Sequence, residues 1–310
     1  MTIDILSFGE PLFELSQIPN HNAEVSYLQG YGGDTSNFAV SASRQGVKVA
    51  MLAHLGNDVF GDKFIELWER EGVNTEFVCR NSNAHTGLYF ITHDDNGHHF
   101  TFYRKGSAAS LVTPKQIPEH AIAQAKLLHS SAITHAISEQ SSDSLFHAIE
   151  LAKTNNTLVS FDTNLRLKLW DLPRARAIIH ETIKHVDFCL PSLDEAQLLT
   201  GLTDANKIAD YYLALGAKTV VLKMGKDGAM LATENERFIA NGHKVATVDA
   251  TGAGDCFSGA FLSQVVKGTD MKDALIYANC AAALTTTGYG AVAPIPRYED
   301  VIKFKQEVIA

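Results

Sequence analysis

Cysteine is scarce: only Cys79, Cys189, Cys256 and Cys280 occur in 310 residues, and no two form a Cys-x-x-Cys pair. This spacing reads as reduced, cytoplasmic thiols rather than as a redox or zinc pair. Clustered positive charge is missing too, with 26 Lys and Arg against 35 Asp and Glu and a formal net charge of −9. Nucleic acid or a membrane surface would demand concentrated Lys and Arg, so neither partner is expected. No apolar run reaches the roughly 20 residues that cross a bilayer. The opening residues carry no cationic signal peptide, and there is no low-complexity tract or internal repeat. Histidine is plentiful, at 13, yet none falls at a ligand spacing such as His-Glu-x-x-His, so none is read as a metal ligand. No Gly-x-Gly-x-x-Gly follows the first strand, which leaves a dinucleotide-binding dehydrogenase without support. A function on a small molecule remains.

What is present centres on Asp249-Ala250-Thr251-Gly252-Ala253-Gly254-Asp255, which runs into the apolar-periodic stretch 256–266. A glycine turn opening a helix leaves three or four N–H groups unpartnered at the positive end of the dipole, a place suited to an anion. Asp255 would repel a bound phosphate. Its reading is therefore a base that takes a proton from an attacking hydroxyl, while the amides hold charge on a transferring phosphoryl group. The alternative is a Gly-rich turn with Asp255 as a capping residue.

The rest of the chain alternates. Strands at 3–9, 49–55, 126–130, 158–162, 186–190 and 219–223 are separated by helical patterns at 38–45, 139–154, 171–185, 194–200 and 204–215. This predicts an α/β fold: a mostly parallel sheet with helices on both faces, in one domain spanning 1–310. Ligands in such sheets gather at the carboxyl ends of the strands. Two β-rich runs, 86–92 and 98–104, flank Asp94-Asp95-Asn96-Gly97, a hairpin signal that a parallel sheet cannot easily absorb. They are expected to form a β-lid with residues about 10–30 that keeps water from the reacting group. Tyr31-Gly32-Gly33-Asp34-Thr35-Ser36-Asn37 precedes a helix; Gly33 lets backbone approach a ligand, and Asp34 and Asn37 suit sugar hydroxyls. Asp34 or Thr35 as a helix cap is the competing reading.

Asp-x-Thr-Gly-Ala-Gly-Asp-x-Phe at 249–257 resembles the C-terminal signature of the ribokinase, or PfkB, family of sugar kinases. The resemblance implies a ribokinase-like fold, Asp255 as catalytic base, and Gly252, Ala253 and Gly254 as the anion hole. Gly-Gly-Asp-x-x-Asn is similar to the family's sugar-binding signature in the form seen among 2-keto-3-deoxygluconate kinases, assigning Gly33, Asp34 and Asn37. Tyr103-Arg104-Lys105-Gly106-Ser107-Ala108 resembles the segment with which those kinases hold the acid end of the substrate. Arg104 would face the carboxylate with Tyr89 and Tyr103 beside it, although Phe102 stands where many such kinases carry a first tyrosine. An exposed strand-end arginine is the alternative.

Asp162-Thr163-Asn164-Leu165-Arg166-x-x-Leu169-Trp170 is similar to a further family run in which Asn164 and Arg166 would point at substrate or nucleotide phosphate. Pairing of Arg166 with Asp171 or another surface acid is the competing reading. Ser192-x-x-Glu195 resembles Asn-x-x-Glu, whose acid orders magnesium and water, with Ser192 replacing the asparagine; it also spells a capping box. Lys223, Gly225, Gly228 and Asn279 are assigned by resemblance to the ATP site, and Asn279 reads equally as a satisfied core amide. Asp249, with Thr251 and the backbone at Gly290, is the expected monovalent-cation position. The expected reaction is ATP- and Mg²⁺-dependent phosphorylation of the C6 hydroxyl of 2-keto-3-deoxygluconate, with potassium as a further ion. A fructokinase or other neutral-sugar kinase is the alternative, and a homodimer through the lid the expected assembly.

Overall fold

The computed structural model describes residues 3–18, 25–94 and 97–309. Among these residues thirteen strands form two sheets. In chain order they are β1 (Ile3–Phe8), β2 (Leu12–Ile18), β3 (Ser26–Gly32), β4 (Val49–Gly56), β5 (Val78–Asn81), β6 (Leu88–Asp94), β7 (Gly97–Tyr103), β8 (Ala125–Ser131), β9 (Leu158–Asp162), β10 (Phe188–Cys189), β11 (Thr219–Lys223), β12 (Ala229–Ala232) and β13 (Arg237–Ala240). The helices are α1 (Asp34–Arg44), α2 (Val59–Arg70), α3 (Glu119–Ala123), α4 (Ala132–Ala136), α5 (Glu139–Thr154), α6 (Leu172–Ile183), α7 (Leu193–Thr200), α8 (Ala205–Leu215), α9 (Ala253–Val266), α10 (Met271–Thr285) and α11 (Tyr298–Ile309).

The larger sheet runs β13-β12-β11-β10-β9-β8-β1-β4-β5, parallel throughout except that β12 pairs antiparallel with β11 and β13 antiparallel with β12. Its strands are apolar on both sides because helices cover both faces. On β4, Ala50 and Leu52 face one core, with Leu145, Ile149, Ile179 and Tyr212 of α5, α6 and α8. Val49, Met51, Ala53 and Leu55 face the other, with Phe38, Phe64, Trp68, Phe261 and Leu275 of α1, α2, α9 and α10. This is the ribokinase-like, mostly parallel and doubly covered sheet that the alternation predicts. No described helix is long and apolar enough to cross a membrane.

The smaller sheet, β3-β2-β6-β7, stands apart from the first. β2 pairs antiparallel with β3 and parallel with β6, so the strand at 26–32 reaches the hairpin only through β2. The hairpin register pairs Asp94 with Gly97; Asp95 and Asn96, half of the turn signal, lie outside the described residues, as do 19–24 of the expected lid segment. The base of β6 is tied down by Asp58, which caps α2 through the Gly61 amide (2.8 Å) and accepts from the Thr86 amide and hydroxyl, each at 2.8 Å. The strands β5 and β13 and the helix α11 were not legible as elements.

Candidate functional site

The carboxyl ends of β1, β8 and β9 and the N-termini of α1 and α9 meet at one cleft of about 570 Å³, roofed by the smaller sheet. Two glycines make the meeting possible. Gly33 takes φ +95° at the N-cap of α1, where a Cβ would lie 2.3 Å from the Glu10 carbonyl. Gly252 takes φ +74° at the N-cap of α9, where a Cβ would lie 2.8 Å from the Ala291 carbonyl. Both conformations are open to glycine and costly for other residues. Helix α1 begins at Asp34 rather than at 38, so Asp34 to Asn37 form a helical turn, not a loop, and neither Asp34 nor Thr35 is the cap.

Asp255 lies in the first turn of α9 and accepts from Asn37 Nδ2 at 2.8 Å. Asp34 accepts from Asn164 Nδ2 at 2.7 Å, which links the sugar-side signature to the end of β9. Burial, then the neighbouring Asp34 charge, pushes the Asp255 carboxyl up to about 8. Asp34 is raised for the same first reason and by Asp162. Crowded carboxylates away from water bind a proton more tightly, so once ionised Asp255 is a stronger base than an ordinary aspartate. The Ala253 amide turns back to the Ala250 carbonyl at 3.2 Å, and the first intrahelical bond is Cys256 N–H to Gly252 (2.8 Å). Gly254 and Asp255 carry amides with no backbone partner, at the end of the turn where Gly252, Ala253 and Gly254 are expected to form the anion hole.

The roof brings Tyr89 and Arg104 to the cleft, with Phe100 and Phe102 beside them. Tyr103 is a correction: it is 55% exposed and packs edge-on against Phe90 at 5.8 Å on the far face of the sheet. Alternation along β7 puts positions 100 and 102 on the cleft side, where Phe102 stacks on Tyr89 (5.4 Å), and so sends 103 outward. Arg104 is not an exposed strand end. It is ion-paired with the fully buried Glu10 and lies 5.3 Å over the Phe102 ring. The Tyr89 hydroxyl donates to Glu14. Four buried polar atoms around this cleft lack partners: Glu10 Oε1, Asp34 Oδ1, Asn37 Oδ1 and Arg104 Nε. Three are acceptors, the complement of ligand hydroxyls, and the fourth is a cationic donor. Glu10 and Glu14 escaped the sequence reading, although Glu10 follows Gly9 at the end of a central strand, where ligands are expected.

Arg166 lines the same cleft and pairs with Glu195 at 3.2 Å, not with Asp171, whose carboxylate caps α6. Glu195 also accepts from Thr163 Oγ1 at 3.1 Å. The capping box at Ser192 does not form: Ser192 is the N-cap of α7 but makes no side-chain cap bond. Its carboxylate partner has been drawn to Thr163 and Arg166 instead. Ser192 lies outside both the cleft and the groove described next.

A second groove, about 320 Å³, adjoins the α9 turn and is lined by Lys223, Gly225, Gly228, His243, Gly254, Phe257 and Asn279 among others. A Cβ on Gly228 would stand 2.1 Å from the Ala240 carbonyl, so the turn closes tightly and its backbone edges the groove. Asn279 Nδ2 donates to the Ala240 carbonyl at 2.9 Å, the satisfied-amide reading, while its side chain still lines the wall. Asn164, expected at substrate or nucleotide phosphate, lines neither groove and bonds to Asp34. Asp249 accepts from the Thr251 amide (2.9 Å) and hydroxyl (2.6 Å) and from the Gly290 amide (2.9 Å). Among the described residues no group of three His, Cys, Asp or Glu is arranged to hold a metal ion.

Two grooves that meet at an open helix N-terminus beside a carboxylate of raised affinity for protons define a site for moving an anionic group onto a hydroxyl. The model of the pfkB family carbohydrate kinases matches residues 3–297. The chain belongs to that family of carbohydrate kinases, phosphotransferases with an alcohol as acceptor. It is 32% identical to the 2-dehydro-3-deoxygluconokinase of Thermoproteus tenax over 97% of this chain and 94% of that protein. It is 34% identical to the probable fructokinase-5 of Arabidopsis thaliana over 96% of each. Among solved structures, a fructokinase from Vibrio cholerae O395 in a fructose-, ADP- and calcium-bound form superposes with a TM-score of 0.86 at 28% identity, covering 98% of this chain and 99% of that one.

Proposed function

We propose that the protein transfers the γ-phosphoryl group of ATP to the C6 hydroxyl of 2-keto-3-deoxygluconate, with Asp255 as general base. The observation that carries the substrate is Arg104, a cation on the cleft wall with an unpartnered Nε, fit to meet the sugar's carboxylate. Arg166 lines the same cleft. Glu10, Asp34 and Asn37 offer acceptors to the hydroxyls between. In the transfer, the C6 hydroxyl gives its proton to Asp255 as its oxygen bonds to the γ-phosphorus. The bond from that phosphorus to the β,γ-bridging oxygen breaks, and its electron pair leaves with ADP. The Gly254 and Asp255 amides face the charge that develops.

ATP is assigned to the groove edged by Gly225 and Gly228, whose closed turn leaves backbone at the wall. Magnesium would come with the nucleotide, since no protein cluster is arranged for it, and Glu195 would order its water; bound there it neutralises phosphate charge. Potassium would lie where Asp249, Thr251 and Gly290 converge, a place supported by the bonds that draw them together. A homodimer would use the outer face of the lid, where Tyr27 and Tyr103 are exposed. A cytoplasmic location fits the unpaired cysteines.

Phosphorylation of fructose is the second reading, favoured by Glu10, which already balances the charge of Arg104. Initial rates of ADP release with ketodeoxygluconate and with fructose, in the wild type and in Arg104→Ala, separate the two. The proposal expects a preference for the acid sugar that the substitution abolishes through KM. Preference for fructose, unchanged by the substitution, would transfer the assignment to fructokinase.

A further inference from the structure

Lys223 leaves the end of β11 with its side chain 11% exposed, directly under the turn that opens α9. A Cβ built on Gly254 would lie 3.7 Å from its Nζ, so the ammonium sits against the backbone that carries the open amides. Three carboxylates face it from three elements: Asp162 of β9, Glu195 of α7 and Asp255 of α9. The bonded one is Asp162, through Oδ2. Asp162 is itself fixed at both oxygens, since Oδ2 also accepts from Ser258 Oγ at 3.1 Å and Oδ1 accepts from the Asn164 amide at 3.2 Å. Ser258 lies three residues beyond Asp255 on the same face of α9, so the helix that carries the base also braces this carboxylate.

We propose that Asp162 is a positioning residue, which holds the Lys223 ammonium beneath the Gly252–Gly254 backbone so that it meets the γ-phosphoryl oxygens as negative charge spreads over them. The proposal rests on the phosphoryl-transfer reading with Asp255 as base. A lysine stem has four rotatable carbons, and an ammonium withdrawn from water without a partner gives up its charge. A carboxylate locked by a hydroxyl and an amide removes both problems: it keeps the cation charged and aims it. The lysine forms no covalent bond and gives up no proton. The sugar proton still goes to Asp255, and ADP still leaves with the electron pair of the broken bond. The pair joins β9 to β11 across β10, so the sheet itself sets where the charge stands.

The role predicts more than a loss of rate. The charged and titratable groups facing Asp255 are Asp34 of α1, Asp162 and Lys223, with Asn37 bonded to it. Those facing Asp162 include Lys223, His129 of β8, Cys189 of β10, Glu195 and Asp34. Asp162 and Lys223 act on Asp255 in opposite directions, the acid raising it and the lysine lowering it. Removing each in turn should move the acid limb of the pH–rate profile in opposite directions, because both charges face the base, and a loss of kcat at unchanged sugar KM is what an ion pair serving only the fold does not give.

The test uses the full-length chain, with whichever of ketodeoxygluconate and fructose it phosphorylates faster, in Asp162→Asn, Ser258→Ala, Lys223→Met and Asp255→Asn. Asp162→Asn is expected to lower kcat by roughly 30- to 300-fold, the range for losing an aligned charge-stabilising group, with the sugar KM within about two-fold. Its acid limb shifts to lower pH and that of Lys223→Met to higher pH. Ser258→Ala, which loosens Asp162 without removing it, lowers kcat by roughly 3- to 10-fold and carries the test should Asp162→Asn not fold. Wild-type kcat in both Asp162→Asn and Ser258→Ala, or a loss confined to KM, or an acid limb that stays in place, would overturn the role. Full turnover in Asp255→Asn would instead overturn the assignment of the base.

Discussion

Asp255→Asn keeps the shape of the side chain and removes its charge, and its effect on folding reports the environment of the carboxyl independently of any substrate. In the folded chain burial, then Asp34, pushes this carboxyl from 3.8 to about 8; in the unfolded chain it ionises near 4. Between those values the folded state keeps a proton that the unfolded state has lost. The stability this group contributes is fully present below about pH 4, falls as pH rises and is gone above about pH 8. About four pH units at about 1.4 kcal/mol each give a ceiling near 6 kcal/mol. Asp34 faces the same charge and takes a share, which leaves about 3 kcal/mol for Asp255. Asn37 can still bond to the amide oxygen of the variant. Urea unfolding of wild type and Asp255→Asn at pH 5 and pH 9 measures the difference. The variant should be more stable by about 1.5 kcal/mol at pH 5, roughly one pH unit above the unfolded value, and by about 3 kcal/mol at pH 9. A difference that does not vary with pH, or a variant less stable at pH 9, would refute a carboxyl crowded by burial and by its neighbours.

Other perturbations read other parts of the cleft. The wild-type rate should rise with pH through an inflection near 8, where Asp255 becomes a free base; a profile flat from pH 6 to 9 would contradict this. Arg104→Met strands Glu10 in the interior and should cost about 3 kcal/mol of stability, while Glu10→Gln with Arg104→Met should recover most of it in a double-mutant cycle. Gly33→Ala forces a Cβ to within 2.3 Å of the Glu10 carbonyl at a positive φ, so a loss of about 2–4 kcal/mol in thermal or urea unfolding is expected. Tyr103→Ser, on the far face of the lid, should leave kcat and KM within about two-fold, and a ten-fold rise in KM would return Tyr103 to the cleft.

What could be read from the chain follows range of interaction. The turn at 249–255 was legible because its requirements are local: a positive φ at Gly252, open amides behind it and an apolar helix after it. The parallel sheet was legible from apolar runs alternating with helical periods. Contacts between distant residues were not. Glu10 meets Arg104 across 94 positions and Lys223 meets Asp162 across 61, and no periodicity announces either. Facing was lost where register decides it: without the pairing of Tyr89 with Phe102, nothing says that Tyr103 points outward. Ser192 shows tertiary structure overriding a local rule, because Glu195 bonds more favourably to Thr163 and Arg166 than to a cap. Asp34 was expected ahead of the helix, but Gly33 at positive φ starts the helix four residues earlier, at Asp34 rather than at 38.

One measurement bears most directly on a base at the mouth of an anion-binding turn: ADP release by wild type and Asp255→Asn with ketodeoxygluconate, alongside calorimetric binding of the same sugar to both. Turnover should fall by at least about 100-fold in the variant while the sugar still binds within about three-fold. Comparable turnover in the two proteins, or a loss explained wholly by failure to bind, would contradict Asp255 as the group that takes the proton.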